Sequence, residues 1–138
     1  MRESILLLAL YIGAAVIFLL GVVLHEAGHL AGGLLSGYRF VSFRIFSWVL
    51  FKEDQKLRFR RSRQGFVVGQ CLMAPPEEGE AFRFMLYNLG GGLFNAIATV
   101  LCLLLGACFF GSEYSVFAFI GFAINGVLAM GNLIPSGV

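Results

Sequence analysis

Three long stretches of the chain are almost free of charged residues. The first of these begins with an uncharged run of twenty residues, 5–24. A helix needs about 20 residues to cross a hydrocarbon layer roughly 30 Å thick, so each stretch is long enough to span a membrane. The pattern therefore predicts three membrane-spanning helices, at about 5–35, 84–110 and 114–134.

The first apolar run also has features of a secretory signal peptide, because Arg2 precedes it. Its apolar part is too long for such a peptide, and no small-residue cleavage site precedes His25, so a membrane span is favoured. Between the second and third runs, Gly111, Ser112 and Glu113 predict a short turn. Helices joined by so short a turn are expected to be antiparallel neighbours.

The basic residues lie almost entirely between the first and second predicted spans. Nine of the ten fall there: Arg39, Arg44, Lys52, Lys56, Arg58, Arg60, Arg61, Arg63 and Arg83. Because short basic loops are retained in the cytoplasm, loop 36–83 is predicted to be cytoplasmic and the N-terminus outside, in the cell membrane. The basic cluster also favours contact with anionic lipid headgroups of the bilayer. So hydrophobic a chain is a poor candidate for binding nucleic acid.

Loop 36–83 contains a pattern typical of strands. Segment 38–51 is rich in aromatic and branched residues and partly alternates, and segment 56–63 reads as a more polar second strand. A turn near Glu53, Asp54 and Gln55 would join them into a hairpin, whereas segment 74–80 breaks regular structure. The hairpin is interpreted as a small sheet resting on the membrane, or alternatively as an edge strand that pairs with an extended substrate.

Composition agrees with a single membrane-embedded unit over 1–138. The chain is 59% hydrophobic and only 13% charged, unlike soluble domains. We therefore predict an all-α membrane protein of about three transmembrane helices, with a short cytoplasmic β-hairpin between the first and second. Cys71, Cys102 and Cys108 match no zinc or redox spacing and are expected to be reduced thiols. Glycines near the end of the first span, Gly28, Gly32 and Gly33, favour close packing of a neighbouring helix.

The first apolar run leads directly into a group of reactive residues. His25, Glu26, Ala27, Gly28 and His29 form the pattern HExxH. On a helix, residues four apart lie on one face, so the two imidazoles can share one metal ion. Bound zinc acidifies its water, and Glu26 is placed to accept the proton. Chance is a poor explanation, because the chain has only two histidines and ionisable groups beside an apolar span are costly.

Two further motifs follow in the later spans. Residues 91–95 read GxxxN and end at Asn95, and residues 132–138 open with the NxxP pattern of Asn132 and Pro135. In this order, HExxH, GxxxN and NxxP resemble the motifs of the site-2 protease family, intramembrane zinc metalloproteases whose last motif is NxxPxxxxDG. The resemblance extends over essentially the whole sequence.

The resemblance implies roles for four residues and one cofactor. It implies Zn²⁺ as the cofactor, His25 and His29 as its ligands, and Glu26 as the general base. Asn95 would hold substrate or a developing negative charge near the site. An interhelical hydrogen bond is the alternative for Asn95, as it is for Asn88, Asn125 and Asn132.

The third zinc ligand of the family is the Asp of its last motif. In this register that Asp falls two positions beyond Val138. Asp54 belongs to the cytoplasmic loop and Glu113 to a turn facing outward, so neither is a good substitute. The sequence is accordingly expected to be a fragment of a longer enzyme, or else a short form that has lost activity.

Three classes of function follow from these patterns. The favoured one is an intramembrane zinc metalloendopeptidase that cuts a membrane-anchored protein or peptide substrate. The second is a noncatalytic membrane protein that binds a partner or peptide on the same scaffold. A metal carrier is the third, but the other spans offer no acid for a second coordination site. The oligomeric state is left open, although another chain could complete the zinc site.

Overall fold

The computed structural model describes residues 2–63, 65, 67–76 and 81–133. They form three helices and one sheet, in the order α1 (Arg2–Leu35), β1 (Arg39–Ile45), β2 (Trp48–Glu53), β3 (Lys56–Arg61), β4 (Gly69–Ala74), α2 (Ala81–Cys108) and α3 (Ser115–Leu133). All three helices are long and apolar enough to cross a membrane, as predicted. The turn at 109–114 joins α2 and α3, which pack against each other, and α1 packs against both.

The helical bundle exposes its large apolar side chains and buries small and polar ones. Leu104 and Val127, for example, are 56% and 71% exposed, whereas Asn95 is fully buried. Among the described residues, Asn125 and Glu26 are also buried within or beside the bundle. A soluble bundle has the opposite arrangement, because water drives apolar side chains inward. The outer surface of this bundle therefore suits an apolar solvent.

Glycines bring the backbones of α1 and α2 together. A Cβ atom on Gly28 would collide with the carbonyl oxygen of Gly90, and one on Gly90 with that of Gly28. One turn further along α1, a Cβ atom on Gly32 would collide with the carbonyl oxygen of Leu86. The predicted packing role of Gly28 and Gly32 is thus confirmed. The close crossing lies within the HExxH segment and so places α2 against the two histidines.

The prediction of an all-α protein with one hairpin is wrong, because four strands within residues 39–74 form an antiparallel sheet in the order β3-β2-β1-β4. The turn between β2 and β3 lies at Asp54 and Gln55, close to the predicted position, and both have positive φ. Segment 38–51 is not one strand, because a turn at Phe46 and Ser47 divides it into β1 and β2.

Strand β4 was not predicted and lies on the other side of β1. Its sequence, residues 69–74, contains no β-branched or aromatic residue and therefore lacks a strand pattern. Pairing with β1 and packing against α1 stabilise the strand, because the local sequence alone does not favour one. The buried Arg44 side chain donates to the carbonyl oxygens of Phe46 and Gly65, which fixes the connection leading to β4. Strand β4 is an edge strand of the sheet, and it packs against α1.

Candidate metal centre

The HExxH segment lies entirely within α1, and its two histidines face each other. The Nε2 atoms of His25 and His29 are 3.2 Å apart, and their ring centroids are 4.8 Å apart. This arrangement follows from the helix itself, because residues four apart stand one above the other on the same face. The structure thus confirms the prediction that these two side chains lie side by side.

The second nitrogen of each imidazole faces an oxygen atom. His25 Nδ1 lies 2.9 Å from Asn95 Oδ1, and His29 Nδ1 lies 2.8 Å from the backbone carbonyl oxygen of Tyr87. Both oxygens can only accept hydrogen bonds, so each Nδ1 must carry a hydrogen and donate it. In neutral imidazoles this leaves both Nε2 atoms without hydrogen, and their lone pairs point at each other. Only a cation between them, a metal ion or a proton, makes such a contact favourable.

The distance between the two Nε2 atoms fits a shared zinc ion. Two nitrogens bound at about 2.0–2.1 Å in tetrahedral geometry would lie about 3.3–3.4 Å apart, close to the separation of 3.2 Å here. Metal-binding histidines also usually donate their other N–H group to a carboxylate, a backbone carbonyl or water, which fixes ring and tautomer. Asn95 and Tyr87 supply carbonyl oxygens of this kind.

Gly91 on α2 keeps the space beside the two nitrogens free of side-chain atoms. A Cβ atom at this position would lie 2.5 Å from His29 Nε2 and 2.7 Å from His25 Nε2. Any residue larger than glycine would therefore enter the position that a shared metal ion needs. The GxxxN motif contains Gly91, but only the packing of α2 on α1 reveals what its missing side chain does.

The Glu26 side chain is buried between α1 and strand β4. The backbone amide of Cys71 donates a hydrogen bond to its carboxylate. A Cβ atom on Gly69 would lie 2.6 Å from Glu26 Oε1, so this glycine admits the carboxylate to the edge of the sheet. The hydroxyl of Tyr87 donates to the carbonyl oxygen of Cys71 at 2.8 Å. Sequence reasoning missed Gly69, Cys71 and Tyr87, because no motif marks them and their roles depend on where β4 docks.

Burial raises the pKa of the Cys71 thiol from 9.0 to about 11, and the negative charge of Glu26 contributes to the rise. A rise of two units lowers the thiolate fraction at pH 8 about 100-fold, and the thiolate is the form that reacts with alkylating reagents. In detergent at pH 8 we therefore expect iodoacetamide to modify the exposed Cys108 well before Cys71, and Cys71 labelling to increase as the pH rises toward 11. Mass spectrometry of digested protein measures both sites. Rapid labelling of Cys71 at pH 8 would contradict the burial of β4 against α1.

The buried amides form hydrogen bonds between helices. Both hydrogens of Asn95 Nδ2 are engaged, by Gly21 O at 3.1 Å and Asn125 Oδ1 at 2.8 Å. This geometry favours the interhelical interpretation of Asn95 over a donor to substrate. The same interpretation is confirmed for Asn125 and for Asn132, whose Oδ1 accepts from the Gly92 amide. Asn88 is exposed on α2.

Within the described residues, no group of three His, Cys, Asp or Glu side chains converges as a metal site. Asn132 touches α2 beside Gly91, so the end of α3 approaches the two histidines. The rest of the NxxP motif, 134–138, lies outside the described residues. Comparison of the chain with protein-family models, curated proteins and solved structures finds no match.

Proposed function

We propose that this protein is an intramembrane zinc metalloendopeptidase of the site-2 protease type. The observation that carries the proposal is the contact of the two Nε2 atoms at 3.2 Å, with each Nδ1 held by an oxygen acceptor. His25 and His29 would hold the metal through these Nε2 atoms. Glu26, between them in sequence, is the only buried acidic residue in the part of the chain that the structure describes.

Each residue of the site would have a separate role in peptide hydrolysis. Bound zinc supplies Lewis acidity, which polarises a substrate carbonyl and makes water more acidic. Glu26 accepts a proton from the attacking water and returns it to the leaving amine. The Cys71 amide orients the Glu26 carboxylate for this transfer. Asn95 holds the ring of His25, and the Tyr87 carbonyl holds that of His29.

The proposed location is a membrane, with the sheet on the cytoplasmic side. The exposed apolar surface of the three helices supports insertion in a bilayer, and the basic residues of loop 36–83 support this orientation. Trp48 and Phe59 stack on each other at 5.1 Å and are more than half exposed on the sheet. Aromatic residues favour the membrane interface, so this pair would hold the sheet against it.

The proposed substrate is a membrane-anchored protein or peptide in extended form at the cleavage position. A helix shields its own backbone, and so the substrate segment must unwind before its peptide bond can react. Strand β4 is an edge strand next to Glu26. The Cys71 amide and carbonyl already bond Glu26 and Tyr87, so an extended segment would pair with this edge on either side of Cys71. It would then lie beside the general base, which is the edge-strand role considered for loop 36–83.

Removal of the metal tests the proposal. We expect the purified protein to bind one zinc ion and to cleave a membrane-anchored reporter in liposomes. Treatment with a chelator should abolish cleavage, and added zinc should restore it, because two histidines without metal cannot activate water. Metal analysis and gel electrophoresis measure the two quantities. Absence of zinc binding by the intact protein would overturn the proposed function.

A noncatalytic binding protein is the second candidate. The absence of a third acidic, histidine or cysteine ligand among the described residues favours it, because catalytic zinc normally has three protein ligands. The two candidates differ in the reporter assay. Zinc binding without any cleavage, unchanged by Glu26→Gln, would support the binding protein, whereas cleavage that depends on Glu26 would exclude it.

A further inference from the structure

Asn125 on α3 begins a chain of hydrogen bonds that ends at His25 on α1. The Asn125 side chain is buried, and its Nδ2 donates to the carbonyl oxygen of Gly121 at 2.9 Å. A backbone carbonyl can only accept, so this bond fixes which end of the amide faces Gly121. The Oδ1 atom of Asn125 is therefore directed to α2, where it accepts from Asn95 Nδ2 at 2.8 Å.

Asn95 transmits this orientation to α1. Its Nδ2 donates one hydrogen to Asn125 Oδ1 and the other to Gly21 O, which places its Oδ1 toward His25. Because Asn95 has no exposed surface, water cannot replace a lost partner on either side of the amide. The two acceptors, Gly21 O and Asn125 Oδ1, together hold the Asn95 amide in one orientation. Only the second belongs to a side chain, so only Asn125 can lose its acceptor by substitution.

We propose that Asn125 is a positioning residue for the metal centre, acting through Asn95 to keep the hydrogen of His25 on Nδ1. This inference rests on the proposed function in one respect, that His25 and His29 bind a metal ion; it does not require peptide cleavage. If the Asn95 amide turned over, its NH₂ group would face His25 Nδ1, and the imidazole hydrogen would move to Nε2. That hydrogen would then point at His29 Nε2, 3.2 Å away, and close the space for the metal.

His29 provides an internal control. Its Nδ1 donates to the backbone carbonyl of Tyr87, and the described contacts connect that carbonyl to neither Asn95 nor Asn125. A substitution at Asn125 should therefore change the tautomer of His25 and leave that of His29 unchanged. General loosening of the bundle would instead affect both histidines.

The experiment combines nitrogen NMR with zinc titration. Protein labelled with ¹⁵N at histidine is measured without metal in detergent micelles, where the ¹⁵N shifts report which ring nitrogen carries hydrogen. The variants are Asn125→Leu, which removes the acceptor, and Asn125→Asp, whose carboxyl oxygen can accept from Asn95 in either protonation state. Thr99→Val is the matched control, because Thr99 bonds only the backbone oxygen of Asn95 in this region.

We expect the wild-type protein to carry hydrogen on Nδ1 of both histidines, including when the two Nε2 atoms share one proton in place of the metal. In Asn125→Leu, the Nδ1–H population of His25 should fall and that of His29 should not, and zinc affinity should decrease about tenfold, as for loss of a partner that orients a ligand. Asn125→Asp and Thr99→Val should resemble the wild-type protein in both measurements.

Three results would overturn the inference. The first is an Nδ1 atom of His25 that carries no hydrogen in the wild-type protein. The others are unchanged His25 shifts in a folded Asn125→Leu variant, and equal changes at both histidines. Where Asn125→Leu does not fold, Asn125→Ala, which removes the same acceptor from a smaller side chain, is measured in its place. A wild-type protein that binds no zinc, but whose His25 tautomer responds to Asn125, would overturn the proposed function and leave the positioning role intact.

Discussion

Glu26→Gln is expected to lower the rate of reporter cleavage by about 10³-fold or more while zinc content stays the same. Glutamine has the shape of glutamate and retains an oxygen that can accept from the Cys71 amide, so the packing beside β4 is preserved. It cannot take up a proton, and loss of a general base typically costs about 10²–10⁴-fold. The measurement is the initial cleavage rate at saturating reporter, together with zinc analysis of the same sample.

Glu113→Gln is the control for this substitution. Glu113 is exposed on the turn between α2 and α3, and the same chemical change there should leave the rate unaltered. Cys71 gives a second readout, because loss of the Glu26 charge removes one cause of its raised pKa and should speed its alkylation. A Glu26→Gln variant that cleaves at the wild-type rate would show that another group is the base.

Gly91→Ala is expected to weaken zinc binding by about 100-fold or more. The added Cβ atom would lie 2.5 Å and 2.7 Å from the two Nε2 atoms, so the imidazoles must move apart or the helices must separate. The effect should exceed that of removing an orienting partner, about 10–100-fold, because here the ligand atoms themselves are displaced. Competition with a chromogenic zinc chelator measures the affinity.

Gly131→Ala on α3 is the matched control for the same chemical change. A Cβ atom at Gly131 meets no atom within 4 Å, so this variant should bind zinc like the wild-type protein. Both substitutions favour helix formation to a similar degree, about 1 kcal/mol, which removes helix propensity as a cause of any difference. Normal zinc affinity in Gly91→Ala would mean that the metal does not lie between the two histidines.

Much of the helical part of the fold could be predicted because its determinants are local. An uncharged run of twenty or more residues satisfies its backbone hydrogen bonds within one helix, and its length is enough to identify it. The two-residue turn between β2 and β3 was likewise close to its predicted place at Asp54 and Gln55. Strand β4 was missed because nothing in residues 69–74 favours a strand until β1 and α1 lie beside it.

The sequence by itself determined the three apolar helices and the facing pair of His25 and His29, because spacing along one helix fixes which side chains share a face. Only the tertiary structure decided which groups orient that pair. Asn95 and the Tyr87 carbonyl approach the histidines from α2, and Asn125 bonds Asn95 from α3. Gly91 on α2 keeps the space beside the two nitrogens open. These contacts join residues 30 to 74 positions apart, and their distances depend on how closely glycines let the helices approach.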